Sequence, residues 1–177
     1  GQVKSASIQT VEKIPRGIRL TARGVAGHGS VPLETNAIVH LSDAVAKVGK
    51  WAPPIRSNET TAAYFKRLAS ISSPEEAQRY RDVLSPDPKV SGAADAYLRS
   101  NEPRHASMPR TSVSPNIFQG GYRSNVIPLE AIATLDVRML PDEDANAFLE
   151  QVKKIVNDPA VEVSFSGQAS RPPGTTR

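Results

Sequence analysis

The stretch Gly17–Gly49, "GIRLTARGVAGHGSVPLETNAIVHLSDAVAKVG", changes its hydrophobic period partway along. In residues 17–25 apolar and polar side chains alternate, which is the pattern of a β-strand with one buried face. In residues 37–49 the apolar side chains recur every three or four positions, which predicts an amphipathic helix. We expect Thr35 or Asn36 to cap this helix. The chain is therefore predicted to open with a strand, a glycine-rich turn and a helix.

Three further strands are predicted in the second half of the chain. Residues 111–121, "TSVSPNIFQGG", contain a proline that cannot donate a ladder hydrogen bond, so we expect this strand at a sheet edge. Residues 125–141, "NVIPLEAIATLDVRMLP", and residues 161–167, "VEVSFSG", alternate apolar with polar side chains. Between these last two, residues 142–156 have apolar side chains at helical spacing behind an acidic first turn, with Asp142 as the expected cap.

The order of these elements predicts the fold class. Between the first helix and the next strand, about residues 50–108, prolines alternate with short helical segments, which indicates a helical insertion. Without it the order is β-α-β-β-α-β, which is typical of the α+β ferredoxin-like fold, a four-stranded antiparallel sheet with two helices on one face. We expect the domain to span residues 13–167, with polar linkers at residues 1–12 and 168–177.

Composition excludes several kinds of site and partner. The 177 residues include no cysteine, which excludes disulfides, thiolate zinc sites and a cysteine nucleophile, and three histidines are a thin supply of metal ligands. The formal net charge is +4, but the basic residues are scattered and only 5% of residues are aromatic, so we expect no nucleic-acid partner. No apolar run reaches the length of about eighteen residues that a membrane span needs, so we expect no membrane partner.

The turn "GHGS", residues 27–30, places a histidine between two glycines. Gly27 and Gly29 would let the backbone approach a neighbouring group closely, and His28 could then reach what the strand itself cannot. Judged on these four residues alone, an incidental histidine in a glycine turn is the simpler interpretation. Ser30 is expected to be a turn hydroxyl, because no nucleophile elbow or acidic third member accompanies it.

The two other histidines have weaker claims to a function. His40 lies off the apolar stripe of the first helix and three residues before Asp43, so we expect a solvated pair on the helix surface rather than a metal site. His105 lies in the least regular part of the insertion, and we assign it no role.

Four stretches in order resemble the dimerisation, or lid, domain of the M20 family of zinc metallopeptidases, nearest its aminoacylase and carboxypeptidase S-like branch. They are the strand with its histidine turn and helix, the "NVIP" at residues 125–128, the "DVR" at residues 136–138, and the acidic start of the second helix. The resemblance implies a homodimer formed through this domain, and we expect the edge strand "SVSPNIFQ" to pair across it beside the first helix.

The resemblance also implies a second domain that is not in this sequence. In the family two zinc ions are held by a separate catalytic domain, whose His-x-Asp ligand motif is absent from these residues. The segment is therefore expected to hold no metal or cofactor, to be inactive alone, and to join its own catalytic domain through the terminal linkers. The implied substrate is a peptide or an N-acyl amino acid, cleaved at an amide bond near a free carboxylate.

Roles for three side chains follow from the resemblance. His28 is expected to enter the active site of the neighbouring subunit and to hydrogen-bond the oxygen that becomes negative in the tetrahedral intermediate. Asn125 and Arg138 are expected to bind the substrate's carboxylate or amide carbonyl. The alternatives are a pair with Asp136 or a neighbour for Arg138 and a plain turn residue for Asn125. The alternative for the whole chain is a free-standing ferredoxin-like module that binds a ligand or nucleic acid on its open sheet face.

Overall fold

The computed structural model describes residue 6 and residues 11–167, which form two compact units. One unit contains residues 13–53 and 112–167, and the other contains residues 54–111. The strands, in chain order, are β1 (Ile14–Arg23), β2 (Gly27–His28), β3 (Ser112–Gly120), β4 (Val126–Ile127), β5 (Glu130–Met139) and β6 (Val161–Phe165). The helices are α1 (Ala37–Lys50), α2 (Glu59–Ser70), α3 (Pro74–Asp82), α4 (Pro88–Asn101), α5 (Pro103–Ser107) and α6 (Ala145–Val156).

The first unit is a four-stranded sheet in the order β3-β5-β1-β6, with every neighbouring pair antiparallel. Helices α1 and α6 cover one face, and their apolar stripes join the inward side chains of the strands in one buried cluster. Its largest fully buried side chains are Ile18, Leu20, Leu41, Leu135, Val137 and Phe148. Burial of one such side chain stabilises a fold by about 2–3 kcal/mol. This architecture confirms the predicted ferredoxin-like α+β fold.

The helix caps confirm one prediction and correct another. The Asn36 side chain accepts the backbone N–H of Ile38 and caps α1, as expected. The prediction of Asp142 as the cap of α6 is wrong, because the helix begins at Ala145 and the cap must directly precede it. Asp144 is the cap, and its carboxylate accepts the first free backbone N–H groups of the helix.

Strand β3 lies at an end of the strand order, which confirms the predicted edge position of the proline strand. A bulge at Asn116 shifts the register between Pro115 and Ile117. Beyond it, Ile117 and Phe118 are 51% and 46% exposed although both are large and apolar. The edge thus combines unpaired backbone groups with exposed apolar side chains.

The second unit packs α2, α3, α4 and α5 around a small core centred on Phe65 and Leu98. Helix α5, which the sequence did not predict, carries His105. The Nδ1 atom of His105 lies 2.6 Å from a Glu102 carboxylate oxygen, and the same oxygen accepts a hydrogen bond from the Tyr80 hydroxyl. His105 is therefore part of a local packing network of this unit.

The linkers predicted at residues 1–12 and 168–177 lie almost wholly outside the described residues. Within the described part of the chain, none of the helices combines the length and the apolar character that crossing a membrane requires.

Candidate functional site

Two turns that are widely separated in sequence meet at one end of the main sheet. The short strands β2 and β4 pair antiparallel, with Gly27 opposite Ile127 and His28 opposite Val126. The Gly29 backbone N–H donates to the Asn125 carbonyl oxygen at 2.8 Å. The structure therefore brings His28 and Asn125 onto neighbouring segments. Sequence periodicity could not show this pairing, because two-residue strands have no measurable alternation.

Glycine is needed at position 29 because the facing backbone lies so close. A Cβ placed there would lie 3.2 Å from the Ser124 carbonyl oxygen and 3.3 Å from the carbonyl carbon of Asn125. Backbone atoms cannot withdraw as a flexible side chain can, so a larger residue would push the two turns apart. Gly29 thus holds the histidine turn against the turn that carries Asn125.

The His28 ring is exposed, and its hydrogen bonds define its tautomer. The Ser30 backbone N–H donates to His28 Nδ1 at 3.2 Å, and the Ser30 hydroxyl lies 2.8 Å from the same nitrogen. Because a backbone N–H can only donate, Nδ1 must be an acceptor, and the ring proton is on Nε2. His28 therefore presents an N–H donor outward, and Ser30, predicted to be a turn hydroxyl, orients it.

Arg138 lies at the other end of β5. Its register partners are Ser112 and Pro15, whereas the end of β5 nearest the two turns is Glu130. The intervening eight or so residues of strand span roughly 27 Å. Within one protomer, Arg138 is thus not brought together with His28. Its Nε donates to both carboxylate oxygens of Asp136 at 3.1 Å, which is the alternative that the sequence left open.

A cavity of about 560 Å³ adjoins the two turns. Its wall includes Gly29, which follows His28, and both chain neighbours of Asn125. Arg123 is the charged residue among those that line it, and its guanidinium carbon lies 6.0 Å from the centre of the Tyr122 ring. A concave space lined by an arginine and by no carboxylate residue suits an anionic group.

His40 has a different partner from the one predicted. Its Nδ1 lies 2.6 Å from Asp158 Oδ2 and its Nε2 lies 3.2 Å from the Glu34 carbonyl oxygen. The predicted pair with Asp43 is wrong, since Asp43 pairs with Lys47 at 2.7 Å. Helical spacing shows only neighbours on the same helix, whereas Asp158 approaches from the turn after α6.

The hydrogen bond to Asp158 raises the pKa of His40 above its ordinary value, although partial burial acts against it. Burial tends to raise the pKa of the Asp158 carboxyl, but its hydrogen bonds with His40 and with the Ala160 backbone N–H hold that pKa below its ordinary value. Both shifts therefore favour the ionised form of the pair. Elsewhere, no group of three or more His, Cys, Asp or Glu residues among residues 6 and 11–167 could hold a metal ion.

Comparisons with known proteins show the family to which the chain belongs. The sequence profile of the peptidase dimerisation domain of the M20 family matches residues 13–164. The probable carboxypeptidase S-like protein 2 of Dictyostelium discoideum is 31% identical over 163 residues, which cover 90% of this chain and 30% of that protein. The human N-fatty-acyl-amino acid synthase/hydrolase PM20D1 is 27% identical over 158 residues, which cover 89% of this chain and 30% of that protein.

A solved structure shares the fold. An M20 family metallo-carboxypeptidase from Sulfolobus solfataricus aligns with a TM-score of 0.51 at 18% identity, covering 87% of this chain and 43% of that one. The chain spans about 30% of the length of the curated relatives that it matches. The profile match, the resemblance of sequence to the Dictyostelium protein and the ferredoxin-like sheet agree, and the chain belongs to the family of M20 peptidase dimerisation domains.

Proposed function

We propose that this chain is the dimerisation and substrate-capping domain of a zinc-dependent hydrolase that cleaves an amide bond near a free carboxylate. The observation that carries the proposal is the geometry of His28, whose Nε2–H points outward from a turn held by β2 and β4. The names of the relatives, a carboxypeptidase S-like protein and an N-fatty-acyl-amino acid hydrolase, support a peptide or an N-acyl amino acid as substrate.

His28 would act as a donor to the developing oxyanion. A neutral imidazole N–H that is already oriented by Ser30 needs no reorganisation when negative charge forms on the substrate oxygen. Such a donor contributes more to the transition state than to the ground state, by about 3–4 kcal/mol. As the resemblance to the M20 family implies, the two zinc ions of the proposed enzyme would be held by a separate catalytic domain.

Self-association would use the β3 edge. The edge has unpaired backbone groups, and next to them Ile117 and Phe118 are half exposed. On α1, Val39 and Ala46 are exposed and, being seven positions apart, lie on the same face of the helix. The buried Leu41 lies on another face. In the proposed dimer, β3 pairs antiparallel with the partner's β3 about a two-fold axis, and the two α1 helices pack above the seam.

This pairing gives Arg138 a place in the site. Two-fold pairing reverses the strand direction, so the Arg138 end of β5 in one protomer faces the same way as the His28 turn of its partner. In the dimer the two β5 strands are separated by the two β3 strands, which makes three strand spacings of about 4.8 Å, or about 14 Å in all. Two long side chains and a substrate can bridge that distance. We therefore infer a composite site with His28 and Asn125 from one protomer and Arg138 from the other.

Subunit mixing in the full-length enzyme tests the role of His28. We expect His28→Ala to lower kcat by roughly a hundredfold or more, with zinc content and dimerisation unchanged. Subunits carrying His28→Ala are then mixed with subunits whose zinc ligands are destroyed, and subunit exchange is verified by mass. Random pairing gives each mixed dimer one complete site, so about a quarter of the wild-type sites should return. A mixture that exchanges subunits and remains inactive would show that His28 does not serve the partner's zinc centre.

A further inference from the structure

His40 lies where three segments of the first unit meet, at the same end of the sheet as the His28 turn. Its ring contacts the Glu34 carbonyl, in the loop between the turn and α1, and the Asp158 carboxylate, in the turn between α6 and β6. That second turn is itself tied to β1, because the Arg23 backbone N–H donates to the Ala160 carbonyl at 3.1 Å. One side chain thus joins the loop to the sheet.

Both contacts of the ring need a donor. The Asp158 carboxylate is ionised, and its second oxygen already accepts the Ala160 backbone N–H at 2.8 Å. A backbone carbonyl such as that of Glu34 can only accept. His40 must therefore donate from Nδ1 and from Nε2 together, which requires the doubly protonated imidazolium.

The loop that His40 holds is packed against the residues that place His28. The Leu33 side chain lies 3.1 Å from the position of a Cβ on Gly27, the residue directly before His28. The carbonyl oxygen of Thr35 lies against Gly24 so closely that no Cβ could fit there. Glu34, between these two contacts, is the point at which His40 restrains the loop.

We propose that His40 is a positioning residue, whose imidazolium clamps Glu34 to Asp158 and so holds the loop that orients His28 for catalysis. This inference rests on the proposed function, since the clamp affects a reaction only if His28 takes part in it. His40 does not touch the substrate in this proposal. It acts through Glu34 and Leu33.

Loss of one proton opens one side of the clamp. Nδ1 keeps its proton because the bond to the Asp158 carboxylate is short and charge-assisted. Nε2 then gives its proton to solvent, and its lone pair faces the Glu34 carbonyl without a donor between them. Four charged groups surround the ring. They are Asp158 in the turn after α6, Asp43 and Lys47 on α1, and the exposed Glu34 side chain in the loop. Their balance favours the cation, so the proton is released at a pH above the ordinary histidine pKa of 6.5.

Hydrogen–deuterium exchange on the full-length protein tests the clamp directly. Exchange of the peptide covering residues 29–36, corrected for the intrinsic pH dependence of exchange, is followed from pH 6 to pH 9 together with kcat and KM. In the wild type, we expect the exchange rate of this peptide to rise about tenfold as the pH passes the pKa of His40. Over the same pH range kcat should fall and KM should change little. His40→Gln should show the fast exchange at every pH, and His40→Arg, a permanent cation with several donors, should restore slow exchange.

His105→Gln is the matched control, since it removes another histidine from the separate helical unit and should leave the pH profile of residues 29–36 as in wild type. Flat wild-type exchange across this pH range would overturn the inference, even if the variants failed to fold. Unchanged exchange in His40→Gln would overturn it as well. A rise in exchange without any fall in kcat, in an enzyme that His28→Ala does impair, would also overturn the inference, because the loop would then not orient His28. An unchanged kcat in His28→Ala would instead overturn the proposed function, so the two failures are distinguishable.

Discussion

At the scale of single residues, the hydrogen-bond partners of two histidine rings determine which ring nitrogens carry a proton. Ser30 offers its backbone N–H to His28 Nδ1, which puts the imidazole proton on the outward nitrogen. At His40 two acceptors face the ring and require both protons. The hydrogen bonds of His28 thus use its Nδ1 as an acceptor, whereas those of His40 use both ring nitrogens as donors, although the two residues are only twelve positions apart in the sequence. Local hydrogen-bond partners, and not residue type, determine what each can do.

The His40–Asp158 pair predicts how stability depends on pH. The pKa of His40 is raised on folding, so its contribution is complete below its ordinary pKa of about 6.5 and is lost as pH rises through the folded value. The pKa of Asp158 is lowered, so its contribution is present above about 3.8 and is lost as pH falls through the folded value. The free energies of unfolding of wild type and Asp158→Asn in urea should therefore differ most between about pH 4.5 and 6.5, and the difference should shrink as pH rises through the folded pKa of His40. An equal difference at pH 5.5 and pH 9 would contradict this.

At the scale of elements, the two-residue strands β2 and β4 depend on close backbone contact, since two pairs of residues supply little else. Gly29→Ala should push its Cβ against the carbonyl of Ser124 and the backbone of Asn125. We expect this variant to lose about 1–3 kcal/mol of unfolding free energy and to lower kcat in the full-length enzyme, because the His28 turn moves. Thermal unfolding and steady-state kinetics measure the two effects.

Gly92→Ala is the matched control. Gly92 lies inside α4, and a Cβ there has no atom within 4 Å. Replacing a helix-interior glycine by alanine should stabilise the protein by about 0.5–1 kcal/mol and leave kcat unchanged. A Gly29→Ala variant that behaves like Gly92→Ala would show that the two turns can separate without cost.

At the scale of the whole molecule, the proposed dimer depends on the β3 edge. Ile117→Lys places a charge on a half-exposed edge position, where it should harm pairing far more than folding. We expect the dimer dissociation constant to rise by at least about tenfold, as measured by analytical ultracentrifugation. Ile71→Lys is the matched control, because Ile71 is 50% exposed in the helical unit and should leave the dimer as in wild type. Equal effects of the two substitutions would place the interface elsewhere.

The composite site makes a second prediction about the assembly. If His28 and Arg138 of one site come from different protomers, mixing His28→Ala subunits with Arg138→Ala subunits should produce one complete site in each mixed dimer. Activity should recover to about a quarter of wild type after exchange. By contrast, Arg138→Ala subunits mixed with subunits lacking zinc ligands should stay inactive, because Arg138 then serves the zinc centre of its own protomer. Recovery in the second mixture and not in the first would contradict the antiparallel pairing.

Much of this protein follows from the sequence by itself. The strand and helix periods predicted the ferredoxin-like sheet with its two helices, because burial of one face imposes a repeat of two on a strand and of about 3.6 on a helix. The proline in "SVSPNIFQ" predicted the edge strand, since proline cannot donate within a central ladder. The glycines of the "GHGS" turn predicted a close approach of the backbone, which Gly29 shows, whereas the role proposed for His28 came from the resemblance to the family. Each of these signals lies within a few residues of the feature that it predicts.

Only the tertiary structure decided the contacts between distant segments. The pairing of the His28 turn with Asn125, the bond from His40 to Asp158 and the distance between Arg138 and His28 all depend on the register of strands far apart in the chain. The cap of α6 depended on where the preceding turn ends, and the sequence pattern placed it two residues too early, at Asp142 instead of Asp144. A local hydrophobic pattern shows which face of a strand or helix is buried, but it does not show which other strand or helix packs against that face.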